Sequence, residues 1–421
     1  MDSTPPDAST PQSLARRVLE RFGLIAFGLY HLPLFLNNYP SLGGGGFSDT
    51  GLSAAWGHVF TPPGVWVARH VFHMTGPMRS AYQGDNGDIG EEFGRLLLSV
   101  VIAIVGTAIW TFADRRRPRG RWVGPALHTG LRYAIALGLT SYGIAKLLPM
   151  QFPPIRTSQL EQRVGDLSPM SLLWTFMQYS RPYAFFGGVM EMLAVVLLCF
   201  RRTATLGALV CLAVMTNVAL LNLAYGVPVK LYSIMIVASA GVLLLYDAPR
   251  LWAVFVRNVT AAPVPLPSLF HDRIPTALRR LIKIVLVGSV VLSSFVAMQS
   301  AIRAGRSSSP LDGAWVVTSF DGRREPGDSA APAAWQRLLF DGRGLVIRSA
   351  SGTPARCRIA TATDSTTLAV TCAEAKGYMR WTRAGDTLQL EGTFEHGRVA
   401  VAARRVEYPL LRSRFRWISD R

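Results

Sequence analysis

The stretch 96–110, LLLSVVIAIVGTAIW, and the stretch 207–225, GALVCLAVMTNVALLNLAY, decide the fold class of this chain. Neither stretch contains an acidic or a basic residue. A helix needs roughly 20 mostly apolar residues to cross a hydrocarbon core about 30 Å thick. Each stretch reaches that length together with its apolar flanks. Both therefore predict transmembrane helices.

Seven segments of the chain have this character, and we expect each of them to cross a membrane. In chain order they are 19–36, 93–112, 126–148, 183–200, 204–225, 227–246 and 282–302. A soluble core of buried helices would rarely need seven such runs. No small-x-small cleavage site follows the first segment, which favours a retained helix over a signal peptide. The sequence predicts an all-α membrane bundle over 14–303, after a disordered segment at 1–13.

The distribution of charge predicts the orientation of this bundle. The chain of 421 residues is only 17% charged, yet its formal net charge is +18. Such a balance suits nucleic-acid binding, acidic lipid, or basic cytoplasmic loops. Arginines crowd the segments 16–21, 115–121, 201–202 and 250–283, which fall on one side of a seven-span arrangement. We therefore expect a multi-pass protein of the bacterial inner membrane, with a cytoplasmic N-terminus, the lipid bilayer as partner and no nucleic acid.

The last part of the chain, 304–421, has a different pattern. Its apolar runs are short and partly alternating, and turn signals such as Gly385-Asp386 separate them. About eight strands at this spacing predict a small antiparallel β-barrel, of the lipocalin-like kind, or a sandwich. In the orientation above, this β domain is periplasmic.

Two cysteines of the β domain are candidates for a disulfide. A turn that pairs Thr363 with Thr366 places Cys357 directly opposite Cys372. Such a bond suits an oxidising compartment, and the register makes the two residues a hydrogen-bonded pair with Cα atoms about 5.5 Å apart. Two buried free thiols are the alternative.

Ionisable and polar residues inside the predicted spans are the candidates for a functional site, because such groups are costly in a membrane. Under the predicted topology they lie near the periplasmic ends of the spans. They are Glu191, Lys146 and Lys230, followed by His31, Tyr142, Asn217 and Asn222.

Besides a register of the spans in which these residues never meet, two interpretations remain open. In the first, Glu191 pairs with Lys146 or Lys230 to offset the cost of burial. In the second, a pocket opens to the periplasm, where Glu191 handles a proton and a lysine binds an anionic group or a quinone oxygen. The four other polar residues would then line this pocket and contact the ligand. No metal site is predicted, because no third ligand follows His70 and His73 at a spacing characteristic of metal sites.

Residues 127–246 resemble the four-helix membrane module of the DoxX-like family. The resemblance rests on YGIAKLLPMQFPP at 142–154, on the long segment 168–208 that begins SPMSLLWTFM, and on NLAYGVPVKLYS at 222–233. The matching positions are Gly143, Lys146, Glu191, Arg201 and Gly207. In a longer branch with a C-terminal β domain, an acidic residue often precedes the VPVK segment, where this chain has Gly226.

The resemblance implies an integral inner-membrane protein. Some members of that family are associated with quinone-linked sulfur oxidation or with oxidative-stress complexes. It therefore suggests a quinone-linked redox accessory or oxidoreductase subunit, with a quinone as the candidate cofactor. The alternative is a non-enzymatic membrane scaffold whose periplasmic β domain binds a protein partner or a hydrophobic ligand. Whether the chain is an enzyme stays open.

Overall fold

The computed structural model describes most of the chain. The described residues are 13–38, 51–76, 88–114, 122–261, 275–305, 309–324, 334–350, 354–361, 366–373, 375–395 and 397–412. The segment 1–13, predicted to be disordered, lies outside them except for its last residue. The chain forms two compact units. The helical unit comprises Met1–Phe152 and Ser180–Gln299, and the barrel unit comprises Pro153–Tyr179 and Ser300–Arg421.

The described residues contain twelve α-helices. In chain order they are α1 (Leu14–Asn38), α2 (Gly51–His70), α3 (Gly90–Ala113), α4 (Val123–Leu147), α5 (Thr157–Leu160), α6 (Pro169–Tyr179), α7 (Arg181–Cys199), α8 (Ala204–Ala224), α9 (Lys230–Leu245), α10 (Ala248–Phe255), α11 (Thr276–Gly305) and α12 (Pro409–Arg412). Each of the seven predicted spans falls on one of them, namely α1, α3, α4, α7, α8, α9 and α11.

Fewer of these helices are long and apolar enough to cross a membrane by composition alone. Among the described residues, three helices qualify: α3, α7, and α8 with its preceding turn. Helices α9 and α10 make a fourth if the pair, bent by 80°, counts as one span. In α11 the apolar stretch is the shorter Val287–Ser300, while α1 and α4 carry internal charges. The prediction of membrane helices is thus confirmed for part of the bundle.

The surfaces of the apolar helices suit a lipid environment. Only 17% of the apolar window of α3 is buried, and the values for α7 and α8 are 39% and 33%. Large side chains such as Ile104, Ile109 and Phe186 are more than half exposed. A soluble protein rarely exposes so much contiguous apolar surface. The helical unit is therefore a membrane-associated structure.

Helix α4 packs against α1, α7 and α9. Its residues Leu131, Ile135 and Leu139 form one buried face, which contacts a cluster that includes Leu198 of α7 and Ile236 of α9. These apolar positions recur every four residues, which is the spacing of one helical stripe. The same helix also carries the polar residues of the candidate site.

The barrel unit contains a closed barrel of eight antiparallel strands, each paired with the next and the last with the first. The strands are β1 (Gly313–Arg324), β2 (Trp335–Asp341), β3 (Gly344–Ser349), β4 (Pro354–Thr361), β5 (Thr367–Thr371), β6 (Lys376–Ala384), β7 (Thr387–Phe394) and β8 (Gly397–Val406). The predicted antiparallel barrel is confirmed. Gly385 has φ of +58°, which is why a glycine begins the turn between β6 and β7.

The interior of the barrel is a packed core. Bulky apolar side chains from the strands fill it, among them Trp315, Leu338, Phe340, Met379 and Phe394, all at most 5% exposed. Eight-stranded barrels either fill with side chains or hold one small ligand. This barrel is of the first kind.

A disulfide joins Cys357 of β4 to Cys372, which follows β5. The strand register pairs Arg358 with Thr371 and so places the two cysteines opposite one another, in the predicted alignment. Their Cα atoms are 4.0 Å apart, which is closer than the spacing of about 5.5 Å expected for a hydrogen-bonded pair.

The segment 153–179 packs on the barrel, although the sequence assigned it to the helical domain. The carboxylate of Asp341 accepts hydrogen bonds from the backbone N–H groups of Thr157 (2.7 Å) and Ser158 (3.1 Å). Glu161 forms an ion pair with Arg337 and accepts a hydrogen bond from the Tyr408 hydroxyl. Together these contacts fix the segment to the barrel.

Candidate functional site

The candidate site is built around a buried ion pair between α4 and α7. Lys146 Nζ donates to both carboxylate oxygens of Glu191, at 2.8 Å to Oε1 and 2.9 Å to Oε2. The two side chains are only 8% and 2% exposed. The structure therefore selects Lys146, of the two predicted lysines, as the partner of Glu191. We call Tyr142, Lys146, Glu191 and Tyr232 the Lys146 cluster.

Two glycines allow the helices to approach closely enough for this pair. A Cβ atom at Gly188 would lie 2.9 Å from the carbonyl oxygen of Gly143 and 3.0 Å from the backbone nitrogen of Leu147. Small residues permit this kind of backbone contact between membrane helices. Because Gly188 precedes Glu191 by three residues and Gly143 precedes Lys146 by three, the close contact and the ion pair share one face of each helix.

The free-energy cost of burying these charges depends on whether both partners are present. Burial of either charge alone is strongly unfavourable, whereas a paired and bidentate arrangement offsets most of that cost. Removal of one partner from a buried pair typically costs about 3–5 kcal/mol. Apolar residues of similar volume often replace a whole buried pair at little cost. Stability alone therefore does not require an ion pair here.

Two tyrosines extend the cluster beyond the ion pair. Lys146 Nζ lies 5.7 Å from the ring centre of Tyr142, and the rings of Tyr142 and Tyr232 are 5.7 Å apart, inclined by 30°. The Tyr232 hydroxyl is buried and has no hydrogen-bond partner among the described residues. It also interacts electrostatically with Tyr30 and Glu191. The hydroxyl oxygen lies against Gly138 of α4, where an added Cβ atom would be 2.0 Å from it. A buried hydroxyl without a partner is an available donor.

Lys230 does not join this cluster. Its Nζ donates to Asp88 Oδ2 at 3.0 Å, and the same carboxylate accepts from the backbone nitrogens of Lys230 (3.0 Å) and Leu231 (2.9 Å). Asp88 thus satisfies donors at the N-terminus of α9, where a negative charge is favourable. The predicted catalytic role for Lys230 has no support in this geometry, because its ammonium is engaged at the helix end.

The other predicted ligand-binding residues divide into buried and exposed positions. His31 is 3% exposed, and its Nε2 lies 3.0 Å from the hydroxyl oxygen of Ser239, so it connects α1 to α9. Asn222 is buried, and its Nδ2 has no hydrogen-bond partner within the described chain. Asn217 is exposed on α8. The structure therefore does not bring the Asn217 side chain into the Lys146 cluster.

A second set of buried polar residues lies on α4 and was not predicted from the sequence. The predicted ionisable groups all lie near the other ends of the spans. Arg132 and His128, at 2% and 5% exposure, lie toward the other end of the same helix. The signal was present in the sequence, because both residues fall within the predicted span 126–148 at a spacing of one helical turn.

No protein-family model matches the chain, and no solved structure matches it. The chain is similar to the "Uncharacterized protein YwoB" of Bacillus subtilis (strain 168), with 32% identity over 124 residues. The match covers 30% of this chain and 79% of the Bacillus protein.

Proposed function

The chain belongs to the same family as YwoB, and we propose that it is a multi-pass protein of the bacterial inner membrane that binds a quinone in its Lys146 cluster. We also propose that it is DoxX-like, on the strength of the motifs at 142–154, 168–208 and 222–233. It then acts as a quinone-linked redox accessory or oxidoreductase subunit. A partner redox protein supplies the electrons, and this chain supplies the quinone site and a route for protons.

Helix-end contacts support seven crossings, by α1, α3, α4, α7, α8, α9 and α11. Arg21 near the start of α1 pairs with Asp114 at the end of α3, which fits two crossings between them if α2 does not cross. Lys230 and Asp88 bring together the starts of α9 and α3, which fits the four crossings by α3, α4, α7 and α8. The N-terminus is then cytoplasmic by the arginine distribution.

The segment 153–179 supports the crossing by α11. This segment connects α4 to α7, and it packs on the barrel through contacts such as the Glu161–Arg337 ion pair. The chain must therefore cross the membrane an even number of times between the segment and the barrel. Helices α7, α8 and α9 supply three crossings, and α11 supplies the fourth. The barrel is then periplasmic, where the disulfide is chemically stable.

The unpartnered Tyr232 hydroxyl carries the proposal that the ligand is a quinone. A quinone carbonyl accepts a hydrogen bond from such a donor, and its planar ring packs against aromatic faces like those of Tyr142 and Tyr232. Reduction of a quinone to a quinol takes up two electrons and two protons. Glu191, in contact with Lys146 and in electrostatic range of Tyr232, is the group placed to pass those protons.

Quinone binding by the purified protein tests this function. We expect ubiquinone or menaquinone with a short tail to quench tryptophan fluorescence in mild detergent and to saturate. Tyr232→Phe removes one hydrogen bond, worth about 1 kcal/mol, and should weaken binding about fivefold. Glu191→Gln should retain binding but slow the proton uptake that accompanies quinone reduction.

The exposed Tyr378 of the barrel provides the matched control, because Tyr378→Phe removes a hydroxyl far along the chain from the cluster. It should bind quinone like the wild-type protein. Absence of saturable binding for both quinone types contradicts the proposal. Equal affinities for the wild-type protein and Tyr232→Phe contradict the assigned site.

A second candidate function is a scaffold in which the barrel binds a protein partner. Its support is a concave region of about 590 Å³ on the outer face of the barrel, where Tyr378 is 66% exposed beside Arg380, Arg398 and Glu391. Exposed tyrosines and arginines are common at protein interfaces. A hydrophobic ligand inside the barrel, which the sequence also allowed, is disfavoured because apolar side chains fill the interior. Tyr378→Ala with Arg380→Ala should abolish cross-linking to a periplasmic partner and leave quinone binding unchanged.

A further inference from the structure

Helix α4 places a buried guanidinium at the C-terminal end of α7. Arg132 is 2% exposed, and its Nε donates to the carbonyl oxygen of Leu198 at 2.8 Å. Leu198 lies in the last turn of α7, where unsatisfied carbonyl groups make the helix end partly negative. This contact explains the orientation of Arg132, but it uses one of the five N–H groups of the guanidinium.

Two polar atoms beside this contact remain unpaired. Arg132 Nη2 and His128 Nδ1 are both buried, and neither has a hydrogen-bond partner in the part of the chain that the structure describes. Their residues lie one helical turn apart on the same face of α4, at 2% and 5% exposure. Buried nitrogen atoms are normally paired with protein, water or ligand. Arg132 Nη2 can only donate, so this buried group lacks an acceptor, and His128 Nδ1 can also donate in one of its two tautomers.

A second guanidinium lies within electrostatic range of both residues. Arg201, in the 3₁₀ turn Arg201–Thr203 that connects α7 to α8, interacts electrostatically with both His128 and Arg132. Asp247 also interacts with His128, and its carboxylate accepts a hydrogen bond from the Thr205 hydroxyl. A pair of guanidinium groups in one region favours an oxyanion as ligand.

The position along the bundle favours a phosphate group. Leu198 and Arg201 lie on either side of Cys199, the last residue of α7, so the Arg132 guanidinium is at the level where that helix ends. In a membrane protein this is the level of the lipid headgroups. Basic pockets between membrane helices bind phospholipid headgroups there, and guanidinium groups suit the several oxygens of a phosphate.

We propose that His128, Arg132 and Arg201 form a phosphate-binding site at the junction of α4, α7 and α8. The ligand is a phosphate oxyanion, carried by an anionic phospholipid or by a small cytoplasmic solute. This site lies on α4 at the end opposite to Lys146 and does not depend on the quinone-binding function.

Phosphate and lipid binding by the full chain in detergent tests the proposal. Titration with inorganic phosphate at constant ionic strength should raise the Tm of the wild-type protein, and native mass spectrometry should retain short-chain phosphatidylglycerol. Loss of a charge-assisted contact should weaken binding about tenfold or more in Arg132→Gln and Arg201→Gln. Retention of phosphatidylglycerol against excess phosphate identifies the lipid as the source, and displacement identifies the solute.

The exposed neighbour Arg202 provides the control, because Arg202→Gln removes the same charge from the same turn. It should bind phosphate and lipid like the wild-type protein. Arg201→Gln keeps the test decisive if Arg132→Gln does not fold, since Arg201 is only half-buried. The proposal is overturned if neither phosphate nor phosphatidylglycerol binds, or if Arg201→Gln binds them as strongly as Arg202→Gln.

Discussion

A double-mutant cycle on Lys146 and Glu191 separates the structural from the functional role of the buried ion pair. The variants are Lys146→Met, Glu191→Leu and the combination of the two. Each single change leaves one charge in a site where the partner was 8% or 2% exposed and bonded at 2.8 and 2.9 Å. We therefore expect each to lower the free energy of unfolding by about 3–5 kcal/mol.

The double variant should recover most of that loss. Two apolar side chains of similar volume fill the space without a buried charge, so its unfolding free energy should fall within about 2 kcal/mol of the wild-type value. The coupling energy of the cycle is then at least about 4 kcal/mol, far above the few tenths seen for independent sites. A double variant that is stable but no longer binds quinone would identify the pair as functional.

Denaturant unfolding in mild detergent, followed by tryptophan fluorescence, measures these energies. Lys230→Met is the comparison, because its ion pair with Asp88 is 31% exposed on the lysine side. This half-buried pair should contribute only about 1 kcal/mol, because Asp88 keeps its hydrogen bonds to the backbone nitrogens of Lys230 and Leu231 when the ammonium is removed. If the two single changes at the buried pair each cost less than about 1 kcal/mol and their effects add, Lys146 and Glu191 do not form a coupled buried ion pair.

Three further predictions concern other parts of the fold. Gly188→Ala places a Cβ atom 2.9 Å from a backbone oxygen of α4, and we expect it to lower the free energy of unfolding by about 1–3 kcal/mol in a thermal unfolding assay. Gly241→Ala is the control, because its Cβ atom would have nothing within 4 Å, and it should be neutral or stabilising in the same assay. Reduction of the Cys357–Cys372 bond, which spans 15 residues, should lower barrel stability by about 3 kcal/mol; an unchanged urea midpoint would contradict this. Burial, and then the hydrogen bond to Glu161, raise the pKa of the Tyr408 hydroxyl in the folded protein. The unfolded chain therefore loses that proton at lower pH, and the free energy of unfolding should fall as the pH rises above about 10. In Tyr408→Phe this fall in stability should be smaller.

The sequence predicted the secondary structure well where a local pattern carried it. Seven apolar runs all became helices, and alternating runs bounded by turns such as Gly385-Asp386 became the eight strands of a closed barrel. The prediction missed α2 (Gly51–His70), because Pro62 and Pro63 lie inside it and proline ordinarily ends a helix. Composition supports only part of the seven-span prediction, because charged residues inside several helices lower their mean hydropathy.

The candidate site was predicted in part, since its partners are far apart in the sequence. Polarity alone singled out Glu191, Lys146 and Lys230, but it left open which lysine pairs with Glu191. The ion pair between Lys230 and Asp88 could not be predicted from the sequence, because it depends on how the start of α9 packs against the start of α3. The docking of 153–179 on the barrel is likewise a long-range contact that leaves no local signal.

The small molecules that copurify with the wild-type chain in mild detergent test the quinone proposal most directly. Mass spectrometry of the extracted lipids should find a quinone in near-stoichiometric amount, and the same extraction from Tyr232→Phe should find clearly less. A wild-type protein that carries no quinone, and does not acquire one when it is supplied, would contradict the proposed function.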